Sequence, residues 1–482
     1  MEPAAFAVTC ASLVALAALA LGGLHRLSLL VVLWRSPPPP PPPPPPAEWP
    51  RVTVQVPLFD EAAVAARAVD AAAALDYPRD RLEVQVLDDS TDETTAIVAA
   101  RVAHHRAAGL AIEHVRREGR AGYKAGALAH GLARAEGELV AVFDADFVPA
   151  PDFLRRTAPR FADPALGLVQ ARWEHLNRRA NLLTRVQALA LDAHFRVEQA
   201  ARCRGGRFFN FNGTAGVFRR AAIEAAGGWQ SDTLTEDLDL SLRAQLAGWR
   251  FLYLDDVAVP GELPEGVGAL RTQQARWTRG AGQTARKLLG AVWRAPGVAL
   301  AARVEATCQL LLNASYAVAL ALALLMVPLV ALGRPGGDAL VAAHTALLAL
   351  AALPVAAFHV VAQRGARARL EALALVPLLF AVGLGLSLSN ALAYAAGLAR
   401  RAEVPFVRTP KRGDAPARRY LAAPAARRAS LELLLAAYAV VGVAAALHTG
   451  RLAALPFLVL AACGFLVAGA GSLAERRARP AA

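Results

Sequence analysis

The stretch Leu139-Val140-Ala141-Val142-Phe143-Asp144-Ala145-Asp146 decides how this chain is interpreted, because in it an apolar strand ends on two carboxylates. The pair stands at positions i and i+2, so both side chains can face one divalent cation. Carboxylate oxygens suit Mg²⁺ or Mn²⁺, and such a cation can also hold a diphosphate. A solvated turn after a strand has the same pattern, so the pair alone leaves both interpretations open.

The composition indicates a membrane protein that carries one globular domain. Of the 482 residues, 56% are hydrophobic, and the mean hydropathy of +0.35 is high for a soluble chain. The apolar residues concentrate at the N-terminus and after residue 305. Much of the net charge of +13 comes from arginines beside apolar stretches, which favours membrane lipids over nucleic acid as partners. The four cysteines show neither metal-binding spacing nor a disulfide framework.

The first 50 residues predict a membrane helix followed by a stiff linker. Residues 1–35 contain an apolar stretch that fits one bilayer-spanning helix of about 20 residues. Arg26 and Arg35 follow its apolar centre, so the positive-inside rule places the next domain in the cytoplasm. Residues 36–50 contain the unbroken proline run 37–46, a polyproline II spacer ~30 Å long. A ligand for a proline-binding module is the alternative for this run.

Residues 51–290 alternate between strand and helix patterns, which is typical of an α/β domain with a mostly parallel sheet. The predicted strands are 52–57, 82–87, 111–115 and 139–143, and the predicted helices are 61–75, 91–108 and 125–135. Ser90 or Thr91 is the expected N-cap of the second of these helices. Ligands bind beyond the carboxyl ends of parallel strands. Asp88-Asp89 and Asp144-Ala145-Asp146 both fall there, which favours a binding site over two unrelated turns.

Residues 291–482 predict further membrane helices, at 308–332, 339–361, 373–398, 431–447 and 452–470. If the first three of them all crossed, the arginine-rich loop 400–428 would lie outside, against the positive-inside rule. We therefore expect 373–398 to be re-entrant or to lie partly in the membrane interface. Its polar face would consist of Ser387, Ser389, Asn390 and Tyr394.

Residues that fit the binding of a nucleotide diphosphate lie near the predicted strand ends. Asp88 or Asp89 can hydrogen-bond a base or a ribose, and Asp146, with Asp144, can bind the metal. Lys124 stands where it could meet a phosphate, although a solvated lysine has the same sequence context. Together these residues predict the donor side of a sugar-transfer site.

A candidate general base follows later in the chain. Asp237, with Glu236 beside it, could deprotonate an acceptor hydroxyl. Thr235 could instead cap a helix at 238–246, whose dipole favours both carboxylates. The two interpretations are compatible, because a base at the start of a helix is well fixed in position.

Two further segments supply candidates for substrate contacts. In the predicted amphipathic helix around Gln273, Arg276 could grip a diphosphate and Trp277 offers a flat face to a sugar ring. Membrane anchoring is the alternative for this helix. Asn212-Gly213 suits a backbone that comes close to the acceptor, although a tight turn would look the same.

The ordered set of motifs resembles the membrane-bound inverting glycosyltransferases of family 2, especially the cellulose-synthase-like A and C proteins of plants and their bacterial relatives. The resemblance covers about residues 52–287. It rests on QVLDDSTD at 85–92, GYKAGAL at 122–128, FDADF at 143–147, LVQARW at 168–173, FNGTAG at 211–216, EDLDL at 236–240 and QQARW at 273–277. This set is far more specific than any one of its motifs.

The resemblance implies a GT-A fold, a nucleotide-sugar donor such as UDP-glucose or GDP-mannose, and Mg²⁺ or Mn²⁺ bound by Asp146. It implies that Asp237 is the base and that Gln273, Arg276 and Trp277 line the donor and acceptor site. The segment 406–413 is similar to the gating loop of bacterial cellulose synthase, which closes over the nucleotide from the cytoplasmic side. That similarity adds three candidate substrate-binding residues, Phe406, Thr409 and Lys411.

Three functions are open on the sequence alone. The first is a processive synthase that adds glucose or mannose to a β-1,4-linked polysaccharide and moves the product across the membrane. The alanine- and arginine-rich composition would place such an enzyme in a bacterial inner membrane. The second is a glycosyltransferase that adds one or a few sugars to a lipid acceptor. The third is a transporter or proline-rich scaffold without catalysis. The sequence does not indicate an oligomeric state.

Overall fold

The computed structural model of the chain describes residues 3–332, 338–399, 409, 411, 413 and 426–477. Four strands form the first half of its sheet: β1 at Val52–Leu58, β2 at Leu82–Asp88, β3 at Ala111–Val115 and β4 at Leu139–Val142. All of them are parallel, since β1 pairs with β2 and β4, and β2 pairs with β3. These are the strands that the sequence predicts, within one residue at either end.

Three more strands extend the sheet to seven: β5 at Leu166–His175, β6 at Gly216–Arg219 and β7 at Arg250–Gly261. The order across the sheet is β3-β2-β1-β4-β6-β5-β7. Strand β6 runs antiparallel to both of its neighbours, β4 and β5, whereas β5 and β7 are parallel. The prediction of a mostly parallel α/β sheet is therefore confirmed, with one reversed strand in its second half.

The helices complete a globular domain and a membrane region. They are α1 Pro3–Arg35, α2 Ala62–Ala73, α3 Thr94–Ala107, α4 Tyr123–Leu132, α5 Phe153–Thr157, α6 Leu182–Ala193, α7 Ala200–Arg204, α8 Arg220–Ala225, α9 Glu236–Leu246, α10 Val267–Arg294, α11 Leu300–Leu311, α12 Ser315–Leu332, α13 Asp338–Val361, α14 Ala366–Leu398, α15 Ala426–His448 and α16 Leu455–Arg477. A π-helical turn, His194–Gln199, joins α6 to α7.

The sheet is buried on both faces, as expected for parallel strands. One face packs against the apolar sides of α2 and α3, with Val64, Val69 and Val98 fully buried. The other face packs against α4 and α9 and includes Leu128 and Phe218. Each such aliphatic or aromatic side chain contributes roughly 1.5–3 kcal/mol through burial. This two-sided packing leaves the carboxyl ends of β1, β2 and β4 as an open edge where a site can form.

At two helix starts the side-chain capping hydrogen bond that the sequence suggests is absent, although Thr235 does occupy the N-cap position of α9. The helix after β2 begins at Thr94 and not at residue 91, and the Ser90 hydroxyl accepts a hydrogen bond from the backbone of Asp60 instead (2.8 Å). Thr235 precedes α9 but makes no side-chain cap. Its hydroxyl lies 3.4 Å from that of Thr284 on α10. In both places a contact with another element replaces the local hydrogen bond that the sequence favours.

In the described part of the chain, six helices are long and apolar enough to cross a membrane: Pro3–Arg35, Leu300–Leu332, Ala339–Val361, Ala366–Leu398, Arg428–His448 and Leu452–Ala474. They coincide with the apolar stretches predicted from the sequence. By the length and composition of its helices, the chain is a multi-pass membrane protein.

Helix α14 has contacts that bear on whether the segment 373–398 is re-entrant or lies partly in the membrane interface. It is one continuous helix of 33 residues, so the re-entrant interpretation is wrong. Near its start Glu371 pairs with Arg185 of the globular domain (2.8 Å), and near its end the Gly397 carbonyl accepts from Arg286 of α10 (2.8 Å). Its predicted polar face, Ser387, Ser389, Asn390 and Tyr394, is buried. Those side chains therefore face protein and not lipid headgroups.

The proline run lies against the globular domain. Arg160 Nη1 donates hydrogen bonds to the carbonyl oxygens of Pro40 (2.6 Å) and Pro41 (2.9 Å). Proline has no backbone N–H, so the carbonyl oxygens are the only hydrogen-bonding groups of such a run. A donor such as an arginine side chain is therefore the kind of partner that can bind it. The role of residues 36–50 as a spacer stays a prediction.

Candidate functional site

A cleft with a cavity volume of about 160 Å³, partly open to solvent, lies at the carboxyl ends of β1 and β4. Strand ends, the first turn of α9 and one face of α10 form its walls, which is where α/β sheets commonly bind ligands. The predicted site residues that line it are Asp89, Lys124, Asp144, Asp146, Asn212, Gly213, Glu236, Asp237, Gln273, Arg276, Trp277, Thr409 and Lys411. Phe406 lies outside the described residues.

Asp88 lies behind the cleft and not in its wall. The side chain is buried, and its carboxylate accepts hydrogen bonds from His114 Nε2 (2.9 Å) and from the backbone N–H of Ser90 (2.8 Å). Burial alone would raise the pKa of Asp88, but these hydrogen bonds outweigh it and lower the pKa to about 2. Of the two predicted nucleotide-binding carboxylates, Asp89 alone reaches the cleft.

Asp89 supports the turn that carries Lys124. Its carboxylate accepts two hydrogen bonds from Arg117, at 2.8 and 2.7 Å. Arg117 in turn donates to the backbone carbonyls of Ala121 (2.6 Å) and Tyr123 (2.8 Å). A bidentate arginine–carboxylate pair has a fixed geometry, so the start of α4 is held in place relative to β2.

Lys124 links three parts of the site. Its ammonium lies 2.5 Å from Asp144 Oδ1, donates to the Gly213 carbonyl (2.8 Å) and lies 3.8 Å from Glu236. Burial alone would lower the pKa of Lys124, but the neighbouring carboxylates outweigh it and raise the pKa. The solvated-lysine alternative is therefore wrong, and Lys124 is a fixed positive charge in the cleft.

Asp146 is buried at the floor of the cleft. Lys411 Nζ lies 2.5 Å from its Oδ2, and the backbone N–H of Glu262 donates to the same oxygen (3.3 Å). Burial raises the pKa of Asp146, although the ammonium of Lys411 opposes that effect. A positive charge beside this carboxylate therefore stabilises its ionised form.

Asp144 and Asp146 have the donor set that Mg²⁺ or Mn²⁺ prefers. In the described ranges, no three His, Cys, Asp or Glu side chains are grouped closely enough to hold a metal without other ligands. A cation here would therefore take its other ligands from a diphosphate and from water, as Mg²⁺ commonly does. The ammonium groups of Lys124 and Lys411 already balance these two carboxylates with positive charge. The residues present fit a divalent cation.

Asp237 lies in the first turn of α9, where the Leu238 N–H donates to its Oδ1 (2.8 Å). Burial, together with the neighbouring Glu236, raises the pKa of Asp237 to about 7, while Lys124 acts in the opposite direction. A carboxylate with a pKa near neutrality is a much better proton acceptor than an ordinary aspartate. The geometry therefore suits a general base.

Gly213 allows the backbone to pass unusually close to Asp237. Its φ is +81°, and a Cβ at this position would lie 3.2 Å from Asp237 Oδ2 and 3.4 Å from Lys124 Nζ. Only glycine combines that backbone conformation with that clearance. The close approach keeps Asp237, Lys124 and the loop 211–216 within one small volume.

Gln273, Arg276 and Trp277 share one face of α10 because they are three and four residues apart. The ring of Trp277 lies 6.5 Å from that of Trp173, at 57°. Trp173 also lines the cleft, and the sequence analysis gave it no role in the site. Its position near the carboxyl end of β5 is a signal that could have identified it. The two indoles give the cleft an aromatic wall of the kind that binds sugar rings.

Phe59 and Arg120 also line the cleft and were not predicted to do so. The guanidinium carbon of Arg120 lies 3.2 Å from the centre of the Phe59 ring. Phe59 directly follows β1, so its place at a carboxyl strand end was the available signal. Arg120 precedes α4 in a loop whose course depends on Arg117 and Asp89, and no local pattern indicates that course.

The fold and the cleft together define a class of protein. A mostly parallel sheet carries two carboxylates suited to a metal, a buried carboxylate with a raised pKa, fixed cations and an aromatic wall in one cleft. Beside it stands a set of membrane-type helices. This is the arrangement of a membrane-associated glycosyltransferase.

The family follows from comparison with known proteins. Residues 50–280 match the family described as glycosyltransferase like family 2, and this domain of the chain belongs to that family. The chain is 48% identical over 248 residues to glucomannan 4-beta-mannosyltransferase 2 of Arabidopsis thaliana. The aligned region covers 50% of this chain and 46% of that protein. It is 48% identical over 249 residues to glucomannan 4-beta-mannosyltransferase 1 of Oryza sativa subsp. japonica, with coverages of 50% and 47%. The resemblance to plant cellulose-synthase-like proteins is confirmed.

The chain spans about half the length of these curated relatives. Among solved structures it is similar to a mannosyltransferase from Pyrobaculum calidifontis in complex with GDP-Man and Mn²⁺, with a TM-score of 0.57 and 24% identity. That match covers 80% of this chain and 99% of the other. At this identity the similarity establishes the shared fold.

Proposed function

We propose that the chain is an inverting, processive β-1,4-mannosyltransferase that uses GDP-mannose. The observation that carries the proposal is the convergence of Asp237, Lys124 and Arg276 with Asp144 and Asp146 in one cleft. The sequence leaves UDP-glucose and GDP-mannose open as donors. The names of the plant relatives and the sugar nucleotide bound to the Pyrobaculum protein favour mannose.

In the proposed reaction, Asp237 accepts the proton of an acceptor hydroxyl. As that O–H bond breaks, the oxygen forms a bond to the anomeric carbon of the donor, on the face opposite the departing diphosphate. An α-linked donor therefore yields a β-linked product. The Oδ1 of Asp237 is held by Leu238 N–H, which leaves Oδ2, the oxygen nearest Gly213, to take the proton.

The departing diphosphate carries the developing negative charge. Lys124, Arg276 and Lys411 supply positive charge in the cleft, and Asp144 and Asp146 would hold Mg²⁺ or Mn²⁺. When bound, that cation supplies further charge neutralisation to the leaving group. Trp277 and Trp173, which both line the cleft, would bind sugar rings there.

We also propose five membrane crossings, with α14 lying between the globular domain and the membrane helices α12 and α16, against which Leu384 and Gly385 pack. Both ends of α14 contact that domain, through Glu371 and Gly397. This arrangement keeps Lys411 on the same side of the membrane as the cleft, which its contact with Asp146 supports. By the positive-inside rule, the cleft would then face the cytoplasm. In the proposed function, the growing polysaccharide would cross the membrane from that side. Localisation to a bacterial inner membrane stays a prediction from the composition, and the plant relatives do not support it.

The decisive experiment is a donor panel with detergent-purified protein. In the presence of Mn²⁺ or Mg²⁺, we expect release of GDP from GDP-mannose to exceed release of UDP from UDP-glucose, and linkage analysis to find β-1,4-linked mannose. Products of many sugars indicate a processive enzyme. A product with one or a few sugars on a lipid would establish the glycolipid alternative instead, and the absence of nucleotide release from every donor would leave the catalytic proposal without support.

Removal of the Lys411 charge should strengthen metal binding, because Lys411 forms an ion pair with the candidate metal ligand Asp146. The ammonium of Lys411 neutralises Asp146 in the absence of a metal, so a divalent cation must compete with it. We expect Lys411→Gln to tighten Mn²⁺ binding without nucleotide by roughly tenfold, the scale of one lost charge-assisted contact. Titration followed by electron paramagnetic resonance of free Mn²⁺ measures this directly.

Lys287→Gln is a matched control for that experiment. Lys287 pairs with Asp232 (2.7 Å) and Asp239 (2.9 Å) and does not line the cleft. Its replacement should leave Mn²⁺ affinity unchanged. Weaker Mn²⁺ binding in the Lys411 variant would contradict the competition and would make Lys411 part of the metal site's support.

A further inference from the structure

Asn212 occupies a central place in the cleft wall, next to Gly213 and hence to the base. Its backbone N–H donates to Gln170 Oε1 (3.1 Å), which fixes the main chain. Its side-chain amide contacts two residues of the π-helical turn that joins α6 to α7: Gln199 at 2.6 Å and His194 at 3.1 Å. None of the features that identify the family in the sequence assigns a role to these two residues.

The π-helical turn explains how both residues reach one side chain. His194 and Gln199 are its first and last residues and stand five positions apart. In an α-helix, residues i and i+5 point about 140° apart, whereas the wider π turn stacks them on one side. π-Helical turns are rare and are found often at functional sites. This turn has a specific consequence, which is the double contact with Asn212.

The contacts determine which way the Asn212 amide faces. Gln199 Nε2 donates both to the Asn210 carbonyl (2.9 Å) and to Asn212 Oδ1, so its amide group must present nitrogen on that side. Asn212 therefore offers its oxygen to Gln199 and its nitrogen to His194 Nε2. His194 Nδ1 lies 3.6 Å from the Glu198 carboxylate, which favours the tautomer with the proton on Nδ1 and leaves Nε2 as an acceptor.

One N–H of Asn212 then points away from its protein partners. The amide nitrogen carries two hydrogens, and within the described part of the chain His194 is the hydrogen-bond partner of one of them. Because Asn212 lines the cleft, the second hydrogen is available to a ligand there. An N–H donor beside the general base suits an oxygen of the acceptor sugar.

We propose that Asn212 donates a hydrogen bond to an oxygen of the acceptor sugar and that His194 and Gln199 are positioning residues that hold its amide in this sense. The inference rests on the proposed function, because it assumes a sugar acceptor in this cleft. The buried ion pairs of Glu198 with Arg202 (2.6 Å) and with Arg26 of α1 anchor the π-helical turn to the membrane region. Through Glu198 and Arg26, helix α1 thus fixes the position of the π-helical turn that carries His194 and Gln199.

The test uses full-length protein in detergent, GDP-mannose and a β-1,4-linked manno-oligosaccharide as the acceptor. His194→Phe and Gln199→Met should each raise the acceptor KM roughly three- to tenfold, the scale of one uncharged hydrogen bond, and leave the donor KM unchanged. His194→Gln, which keeps an acceptor atom, should restore part of the loss. In combination with Asn212→Ala, neither change should weaken acceptor binding further.

Gln245→Met is the matched control for a buried glutamine. Gln245 donates to the carbonyls of Phe209 and Ser241 (both 2.8 Å) and lies outside this cleft. The Gln245→Met substitution should lower the thermal stability of the protein without changing the acceptor KM. Unchanged acceptor KM in folded His194 and Gln199 variants, or effects that add to that of Asn212→Ala, would overturn the inference.

Failure of the proposed function gives a different result. In that case the unmodified protein transfers no sugar to the oligosaccharide and releases no GDP. Binding of the oligosaccharide, followed by tryptophan fluorescence, then still tests the inference: binding weakened by His194→Phe supports the positioning role, and equal binding in both proteins refutes it.

Discussion

Replacement of Asp237 by asparagine is expected to lower the rate of sugar transfer by ~10²–10⁴-fold, the usual contribution of a general base. Asparagine has the same shape and can still accept the hydrogen bond from Leu238 N–H (2.8 Å in the aspartate). It cannot take a proton from the acceptor. The loss should therefore appear in kcat, with little change in the donor KM, when GDP release from GDP-mannose is measured.

The pH profile gives a second signature of the same residue. Because burial and Glu236 raise the pKa of Asp237 to about 7, the base is protonated and inactive at lower pH. We expect kcat/KM to rise with pH up to about 7 and then to level off. In Asp237→Asn the small remaining activity should lack this rise.

Asp232→Asn is the control for this prediction. Asp232 is mostly exposed and pairs with Lys287 at 2.7 Å, an interaction worth at most about 1 kcal/mol. Its rate and pH profile should match those of the unmodified protein. Full activity in folded Asp237→Asn would show that Asp237 is not the general base.

The second large effect is expected at Asp146. We predict that Asp146→Asn lowers Mn²⁺ affinity and slows transfer by at least ~10²-fold, because the cation would lose a charged ligand and the diphosphate much of its neutralisation. An amide at this buried position costs less to desolvate than a carboxylate, but Lys411 loses its ion-pair partner, so the melting temperature of the variant is measured as well. Mn²⁺ binding without nucleotide is the direct measurement.

The opposite signs at Asp146 and Lys411 sharpen this prediction. Removal of the carboxylate should weaken Mn²⁺ binding, whereas removal of the ammonium paired with it should strengthen it. Asp256→Asn serves as a control, because Asp256 forms an exposed ion pair with Arg156 (2.8 Å) outside the cleft. If Asp146→Asn bound Mn²⁺ as tightly as the unmodified protein, the metal site would have to lie elsewhere.

Local patterns in the sequence determined the elements and most of the site. The alternation of strand and helix located β1 to β4 within one residue, since period-two and helical patterns are properties of neighbouring residues. The sequence predicted the carboxylates at 144 and 146, the candidate base at 237 and the α10 motif, because they follow an apolar strand or stand at helical spacing. All of them line one cleft.

Contacts between distant parts of the chain were decided only by the tertiary structure. The sequence could not separate Asp88, which points back to His114, from Asp89, which reaches the cleft. It could not pair Lys411 with Asp146 across 265 residues, nor turn Gln199 and His194 toward Asn212. The physical reason is that a residue's neighbours along the chain set its local conformation, whereas side-chain partners depend on how strands and helices pack. That packing supplies the charge balance and the fixed donors on which the proposed chemistry depends.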